Sequence, residues 1–239
     1  MEAENYQLQY RFQPGVVMSY RAEGKTSQTF YGSEQIESPE QTMDMTITFK
    51  SLFEDKGGRI HLLISSMPVK VMVGDREMEL PDMRRVYAMV DSRGTILEST
   101  DAVNIFIYPF PAEPVPMGHQ WECEEYIRPV DAMEPLSLRT LYVLEKEYEL
   151  DGIPHLVISF HSPKILYKSQ VEAMKGSTIT FMRDGIFFFD PELGQITKID
   201  QTSSFSSEND MGRLETSFQS MMTLGEILED PTMLPKVEK

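Results

Sequence analysis

Apolar and polar side chains alternate with a period of two along most of this chain, and that period predicts strands. The clearest run is 42–53, where Met43, Met45, Ile47 and Phe49 alternate with Thr42, Asp44, Thr46, Thr48 and Lys50. One face is then buried and the other wet, the habit of antiparallel sheets. Asp55-Lys-Gly-Gly58 turns the chain, and Ile60, Leu62 and Ile64 form the inner face of a returning strand, so a hairpin is expected. Upstream, Tyr6, Leu8, Tyr10 and Phe12 predict a strand over 6–13, Pro14-Gly15 a turn, and Val16 to Ala22 a second strand. Residues 23–41 are polar and carry Gly24, Gly32 and Pro39, which reads as a loop broken by a short extended piece. Further strands are expected at 69–73, 85–90 and 95–98.

Near the midpoint lies Pro109-Phe-Pro-Ala-Glu-Pro-Val-Pro116. Each proline fixes φ and biases its predecessor to extended backbone, so a stiff connector is expected. The half of the chain after this segment reads as a diverged copy of the half before it. Gly15-Val-Val-Met-Ser-Tyr aligns with Gly118-His-Gln-Trp-Glu, placing Met18 opposite Trp121. Gly58-Arg-Ile-His-Leu-Leu-Ile-Ser aligns with Gly152-Ile-Pro-His-Leu-Val-Ile-Ser, placing His61 opposite His155. The turn at Gly94 aligns with the turn at Gly194. Three matches in order, each at a turn flanked by alternation, point to duplication.

The end of the chain is ambiguous in period. Leu214, Phe218 and Met222 fit one face of a strand or a helical stripe. The partner segment 195–206 is rich in Thr, Ser and Ile, which favours a long hairpin of 195–206 with 213–224 around Glu208-Asn-Asp-Met-Gly212. One helical turn is expected after Leu224 and a frayed tail from Pro231. The fold class this predicts is all-β, antiparallel, a sandwich or an open barrel-like sheet built from two tandem pseudo-repeats. The boundaries are 1–108 for the first, 109–116 for the connector, 117–224 for the second and 225–239 for a tail. No βαβ rhythm appears, which argues against α/β nucleotide-binding folds.

Composition narrows the partners more than the chemistry. The 239 residues carry 22 basic against 38 acidic side chains, a net charge of −16 that repels nucleic acid and anionic membrane surfaces. The one cysteine, Cys123, rules out an internal disulfide. No apolar run approaches the ~18 residues a membrane-spanning helix needs. The first residues lack a basic and then apolar leader, so a cytoplasmic location is expected.

Candidate chemistry is sparse. Gly24-Lys25-Thr26 has the tail of a phosphate-binding loop, but Ser19 stands where the first glycine belongs and no helix pattern comes after it. His155 and His161 share one predicted strand about 20 Å apart, too far to ligate one metal. His61 and His155 fall on the face opposite the apolar positions and read as surface or interface histidines. Cys123 lies beside Trp121 on one face, among Glu122, Glu124 and Glu125, whose charges oppose a thiolate; it reads as a small apolar filler. Glu145, Glu147 and Glu149 read as a wet face. Met43, Met45 and Met89 read as flexible core filler, Phe187 to Phe189 as partly core, and Asp82-Met-Arg84-Arg85 as a charged loop.

Phe12-x-Pro-Gly15 with Tyr20, and Val115-Pro-x-Gly118-x-x-Trp121 after a mid-chain turn, resemble the openings of a group of bacterial all-β proteins whose role is not established. The resemblance spans most of 6–206. It implies a β scaffold, and it brings no catalytic residues and no cofactor. The expectation for function is a non-catalytic binding or interaction protein that uses a cleft between the repeats or an exposed sheet edge. Its partner would be a protein, a peptide, an apolar ligand or a second copy at a sheet edge; the alternative is a hydrolase working through carboxylates. Trp121, His61 and His155 are the candidate contact or core residues. Trp121 is the strongest, as a large aromatic at the start of the second repeat that needs a partner for its N–H.

Overall fold

The alternation is realised as fifteen strands in a computed structural model that describes residues 4–100, 106–127, 136–168 and 176–229. In chain order these are β1 (Asn5–Tyr6), β2 (Val16–Tyr31), β3 (Gln35–Glu37), β4 (Gln41–Glu54), β5 (Ile60–Val73), β6 (Arg76–Glu77), β7 (Arg84–Val90) and β8 (Ile96–Ser99). Then come β9 (Val115–Pro116), β10 (Gln120–Ile127), β11 (Leu136–Leu150), β12 (Ile153–Lys168), β13 (Thr178–Asp190), β14 (Gln195–Asn209) and β15 (Gly212–Glu229). Thirteen strands make one antiparallel sheet, ordered β10-β11-β12-β13-β14-β15-β2-β4-β5-β7-β8, with β3 beside β2 and β6 beside β5. The fold is thus all-β and antiparallel, with one large continuous sheet and a two-stranded pair of β1 and β9 apart from it.

A sheet this wide accumulates twist and must curl or split. This one curls. Residues of its two edge strands, β8 and β10, line the same cavity as residues of the middle strands β13, β14, β15 and β2. The inner face can be followed by register. Met18, Tyr20 and Ala22 on β2 lie beside Phe49, Ile47 and Met45 on β4. Across the sheet, Ala22 neighbours Met222, which neighbours Ile199, Phe187 and then Ile158. All these except Met45 are buried, and Met45 packs against them. The outer face of the middle strands is polar: Arg21, Glu23 and Lys25 on β2 register with Thr223, Met221 and Gln219 on β15.

The curl is filled at one end only. Residues 7–13 alternate as expected, with Leu8, Tyr10 and Phe12 buried and Gln7, Gln9, Arg11 and Gln13 exposed, yet beyond β1 they join no ladder. Instead the segment threads between two turns: Tyr10 N donates to Ser92 O at 2.7 Å and Arg11 N to Gly194 O at 3.0 Å. Those turns come close. A Cβ on Gly94 would meet Tyr10 Cε2 and Tyr108 O, each at 2.6 Å, and one on Gly194 would meet Arg11 Cγ at 2.5 Å. The proline segment is likewise more than a connector. Tyr108, Phe110 and Val115 are buried, and β9 pairs with β1 through Tyr6–Val115 and Asn5–Pro116. Tyr10 stacks on Phe110 at 4.8 Å and Tyr108 on Phe187 at 4.9 Å, so the two non-sheet segments supply the plug.

Three other expectations change. Residues 23–31 are strand, since β2 runs unbroken to Tyr31; the polar composition reflects an end of the sheet with no core to meet. The helical turn after Leu224 is strand as well, because β15 continues beside the start of β2 past a register shift at Leu224/Glu226. A separate tail from 225 therefore does not begin there, and the fraying expected from Pro231 lies outside the described residues. The ambiguous 213–224 segment is strand, as its partner's composition indicated.

The aligned glycines occupy matching places. Gly15 and Gly118 precede β2 and β10, Gly58 and Gly152 turn β4–β5 and β11–β12, and Gly94 and Gly194 turn β7–β8 and β13–β14. All six have φ between +67° and +82°, a conformation glycine adopts without the penalty of a Cβ. β15 bridges the halves by pairing with both β14 and β2.

Candidate binding cavity

Beyond the aromatic plug, the same strands continue around a cavity of about 1130 Å³. Its floor is the inner face of β13, β14, β15 and β2, where register places Arg183, Ser203, Phe218 and Thr26 in one row. The next row outward is Phe181, Phe205, Thr216 and Gln28. Its walls are β8 and β10, and the 106–110 segment borders the plug. Period-two alternation produces this lining directly, since the inward positions of these strands continue the core positions of the filled end. A smaller cluster of Ile127, Leu136, Leu138, Ile179, Phe181 and Phe205 firms the corner where β10 and β11 meet β13 and β14.

One charged pair lies within the lining. Arg183 is buried, with Nη2 donating to Glu125 Oε2 at 2.7 Å and to Thr140 Oγ1 at 3.5 Å. The other Glu125 oxygen accepts from Tyr142 Oη. The guanidinium lies over Phe160 at 5.1 Å and Tyr108 at 5.8 Å, distances of cation–π attraction. Burial works against its charge, but the Glu125 carboxylate beside it outweighs that and holds the guanidinium protonated above its ordinary value. Arg183 Nε is buried without a hydrogen-bond partner. Burial also lifts the Tyr108 and Tyr142 hydroxyls well above the ordinary range, so both stay neutral donors. Tyr108 Oη reaches Gln201 Oε1 at 3.3 Å, and Gln201 Nε2 donates to Ser220 Oγ at 3.0 Å.

The predicted residues scatter with respect to this cavity. Trp121 is half-buried at the plug, stacked on Tyr142 at 5.4 Å, and its Nε1–H donates to Pro109 O at 2.9 Å. It is a partial core residue with the satisfied N–H its burial requires. His155 is not a surface residue: it is 3% exposed, with Nδ1 within 2.9 Å of Ile153 O. It registers opposite Tyr148, so a position that alternation assigned to water is buried. His61 is partly buried, stacked on Phe53 at 4.0 Å, with Nδ1 2.5 Å from Tyr87 Oη and Nε2 3.6 Å from Asp55. Neither histidine lines the cavity. Among the described residues no group of three or more His, Cys, Asp or Glu is arranged to hold a metal ion.

Cys123 does line it, half-buried beside Glu125, and burial with that carboxylate pushes the thiol up to about 11. The cavity residues reasoning from sequence missed are Arg183 and the polar–aromatic floor. Arg183 had one signal, a cation at an inward position between Phe181 and Phe187 of an otherwise apolar face. Of the neighbouring carboxylates, Glu124 borders the cavity and accepts from Ser137, and Glu122 pairs with Arg139 at 3.6 Å.

No family model matches the chain, and no curated protein matches it. Among solved structures it is similar to one described as lipid–protein interactions in lipovitellin, with a TM-score of 0.55 and 14% identity over 92% of this chain. The chain spans 26% of that protein's length, so the likeness is one of fold to a part of it. Ail, the attachment invasion locus protein of Yersinia pestis, aligns over 89% of this chain and 100% of its own at 12% identity, but a TM-score of 0.24 carries no structural argument.

Proposed function

We propose that this protein is a non-catalytic binding protein that holds an apolar ligand inside the curl of its sheet. The carrying observation is the cavity itself: about 1130 Å³, floored by Phe181, Phe205 and Phe218 with Thr and Ser between them. Sites for small ligands typically occupy ~300–1,000 Å³ and combine apolar lining with a few placed polar groups, so this one has room for a long-chain molecule. The fold likeness to a part of lipovitellin, a protein whose structure is described by its lipid interactions, lends the same direction. The cleft lies where the two halves meet, and the matched glycine turns support a duplication that made it. A curl closed at one end by a plug and left open at the other gives an elongated ligand a depth stop.

The carboxylate hydrolase has less support. Of the glutamates near the cleft, Glu125 is the inward one, and both its oxygens are engaged by Arg183 and Tyr142. An acid or base needs a free lone pair or proton at the substrate. Pairing of two copies through the β10 edge is likewise opposed: that strand carries exposed Glu122 and Glu124, the charged-edge device that blocks strand addition.

The test uses N-phenyl-1-naphthylamine, an apolar fluorophore that brightens in dry surroundings, together with the single cysteine. Binding in the cavity raises its emission and slows alkylation of Cys123. Ser203→Trp, which sets an indole on the floor between Arg183 and Phe218, lowers both effects together. A fluorophore that binds equally well to the blocked variant, with Cys123 unprotected, removes the cavity as the site.

A further inference from the structure

Both cations that face the cavity are already paired with a carboxylate, which bears on the class of ligand it can hold. Among the described lining residues the cations are Arg93 and Arg183. Arg93 is held by Asp91, with Nη2 at 2.9 Å and Nε at 3.2 Å from Oδ2, and Asp91 Oδ1 is fixed in turn by the N–H groups of Arg93 and Thr95. Arg183 is held by Glu125 at 2.7 Å, and Tyr142 takes the second Glu125 oxygen. The remaining lining acids, Glu98 and Glu124, are exposed. Apart from the paired Arg183, what the floor offers is neutral: Thr26, Gln28, Ser203 and Thr216 beside three phenylalanines.

An anionic headgroup drawn into this space would lie near Glu125 and meet cations whose charge a carboxylate already balances. The one N–H left over, Arg183 Nε, is a single donor that a neutral carbonyl or hydroxyl oxygen satisfies without the large desolvation penalty of a buried excess charge. A cationic headgroup finds the buried acid already neutralised, and the other two lining acids, Glu98 and Glu124, are exposed, where water screens their pull on it. Hydroxyl, ester and amide groups find hydroxyl and amide partners. Resting on the reading of the cavity as an apolar-ligand site, we propose that its ligand is an electrically neutral amphiphile, with hydroxyl, ester or amide polar groups. The Arg183–Glu125 pair then acts as a specificity determinant: it anchors the deep wall of the cavity while withholding its charge from the ligand.

The pair also predicts how to change the preference. Glu125→Gln keeps the shape and a hydrogen-bond acceptor for Arg183 but removes the carboxylate charge. Arg183 is then a buried cation in want of an anion, and planar bidentate capture of a carboxylate is what a guanidinium does best.

The experiment is competition against N-phenyl-1-naphthylamine on the full chain, with three sixteen-carbon probes below their micelle concentrations: 1-monopalmitoylglycerol, palmitate and hexadecyltrimethylammonium. The expected result for the wild-type protein is that monopalmitoylglycerol displaces the fluorophore roughly tenfold more tightly than either charged probe, a difference of about 1.4 kcal/mol. In Glu125→Gln the ratio of palmitate to monopalmitoylglycerol affinity rises by roughly tenfold or more. Ser203→Lys, which adds a cation to the floor and leaves the pair intact, shifts the ratio the same way and serves if Glu125→Gln folds poorly. Palmitate binding to the wild-type protein as tightly as monopalmitoylglycerol overturns the neutral-ligand inference while leaving the apolar cavity standing. A fluorophore that binds the wild-type chain but is displaced by none of the three also overturns it. No fluorophore binding at all removes the cavity reading beneath it.

Discussion

The two ends of the curled sheet are built from the same strands and differ in what lies inside them. On β13, Phe187 and Phe189 are fully buried at one end, while Phe181 and Arg183 face the cavity at the other. On β2, Met18, Tyr20 and Ala22 pack against the plug, and Thr26 and Gln28, on the same inward face, line the cavity. The strand geometry is unchanged between the ends; the contents of the curl decide which inward positions become core. At the filled end those contents are two segments outside the large sheet, 7–13 and 106–116, whose aromatic rings stack on the strands. The molecule therefore carries a filled end and a hollow end on one continuous ladder.

The strongest test of that contrast is Phe187→Ala. Phe187 contacts Tyr108 at 4.9 Å with the rings nearly parallel, and Phe110 and Phe160 at 6.2 Å each. Emptying such a site removes both the transfer free energy and the packing around it, a loss of about 3–5 kcal/mol. Urea unfolding followed by circular dichroism measures it. A loss below about 1 kcal/mol would mean that the plug does not carry the stability of this end.

Trp121→Ala comes next, at about 2–3 kcal/mol, below the range for a fully buried aromatic because Trp121 is only half-buried. It joins the plug to the second half of the sheet through the Tyr142 stack and the hydrogen bond to Pro109 O. Trp121→Phe keeps the stack and loses the bond, so about 1 kcal/mol is expected. Equal losses for the two variants in the same urea assay would assign the role to the hydrogen bond alone.

Legibility in the sequence divides along the same line as the two ends. Where a core exists, alternation reports it: 42–53 and 60–64 read correctly as strands because one face is largely apolar, whereas 195–206 read as strand from its Thr, Ser and Ile content, Gln201 and Ser203 interrupting its inward face. Residues 23–31 read as loop because, toward the open end, both faces of that strand are polar, and no period survives. The alternation at 6–13 reported burial faithfully but not pairing, since a segment lying within a curl buries one face as a sheet strand does. Beyond Gly212, β15 carries no clear period, and the partner's composition settled the matter. Arg183 and Glu125 stand 58 positions apart; only the path β10-β11-β12-β13 brings them together, and no local pattern announces it. His155 misled because its position alternates with the core residues Leu156 and Ile158 and yet is itself buried, which a two-face model does not foresee.

Cys123 offers a smaller and more local probe of the boundary between the ends. Burial and Glu125 raise its thiol from an ordinary 9.0 to about 11. The folded chain then holds the proton more tightly than the unfolded one, so the linked contribution to stability is complete below about pH 9 and is lost as pH rises through about 11. Iodoacetamide alkylation of the folded chain should rise with a midpoint near 11, and that of the urea-unfolded chain near 9. A folded-state midpoint near 9 would put Cys123 in open water, at a mouth wider than the cavity described.

The smallest expected change in stability is at Phe218, and it is the sharpest test of the open end. Phe218 has the size and the inward register of a core residue, sitting between Ser203 and Thr26 on the floor, yet it is only partly buried. Its ring also lies over Gly24, where a Cβ would come within 3.3 Å of Phe218 Cε2, so it is positioned by its own sheet and not by a packed interior. Removing it takes away little that is shielded from water in the free protein, and Phe218→Ala should shift the unfolding free energy by less than about 1 kcal/mol, as for partly exposed positions generally. In the ligand-bound protein the same ring is apolar contact surface, at about 25 cal/mol per Å² covered. N-phenyl-1-naphthylamine affinity should therefore fall by roughly threefold to tenfold in a variant whose urea midpoint barely moves. The reverse pattern, about 3 kcal/mol lost with binding intact, would make Phe218 part of the core and turn the cavity into an underfilled interior without a ligand.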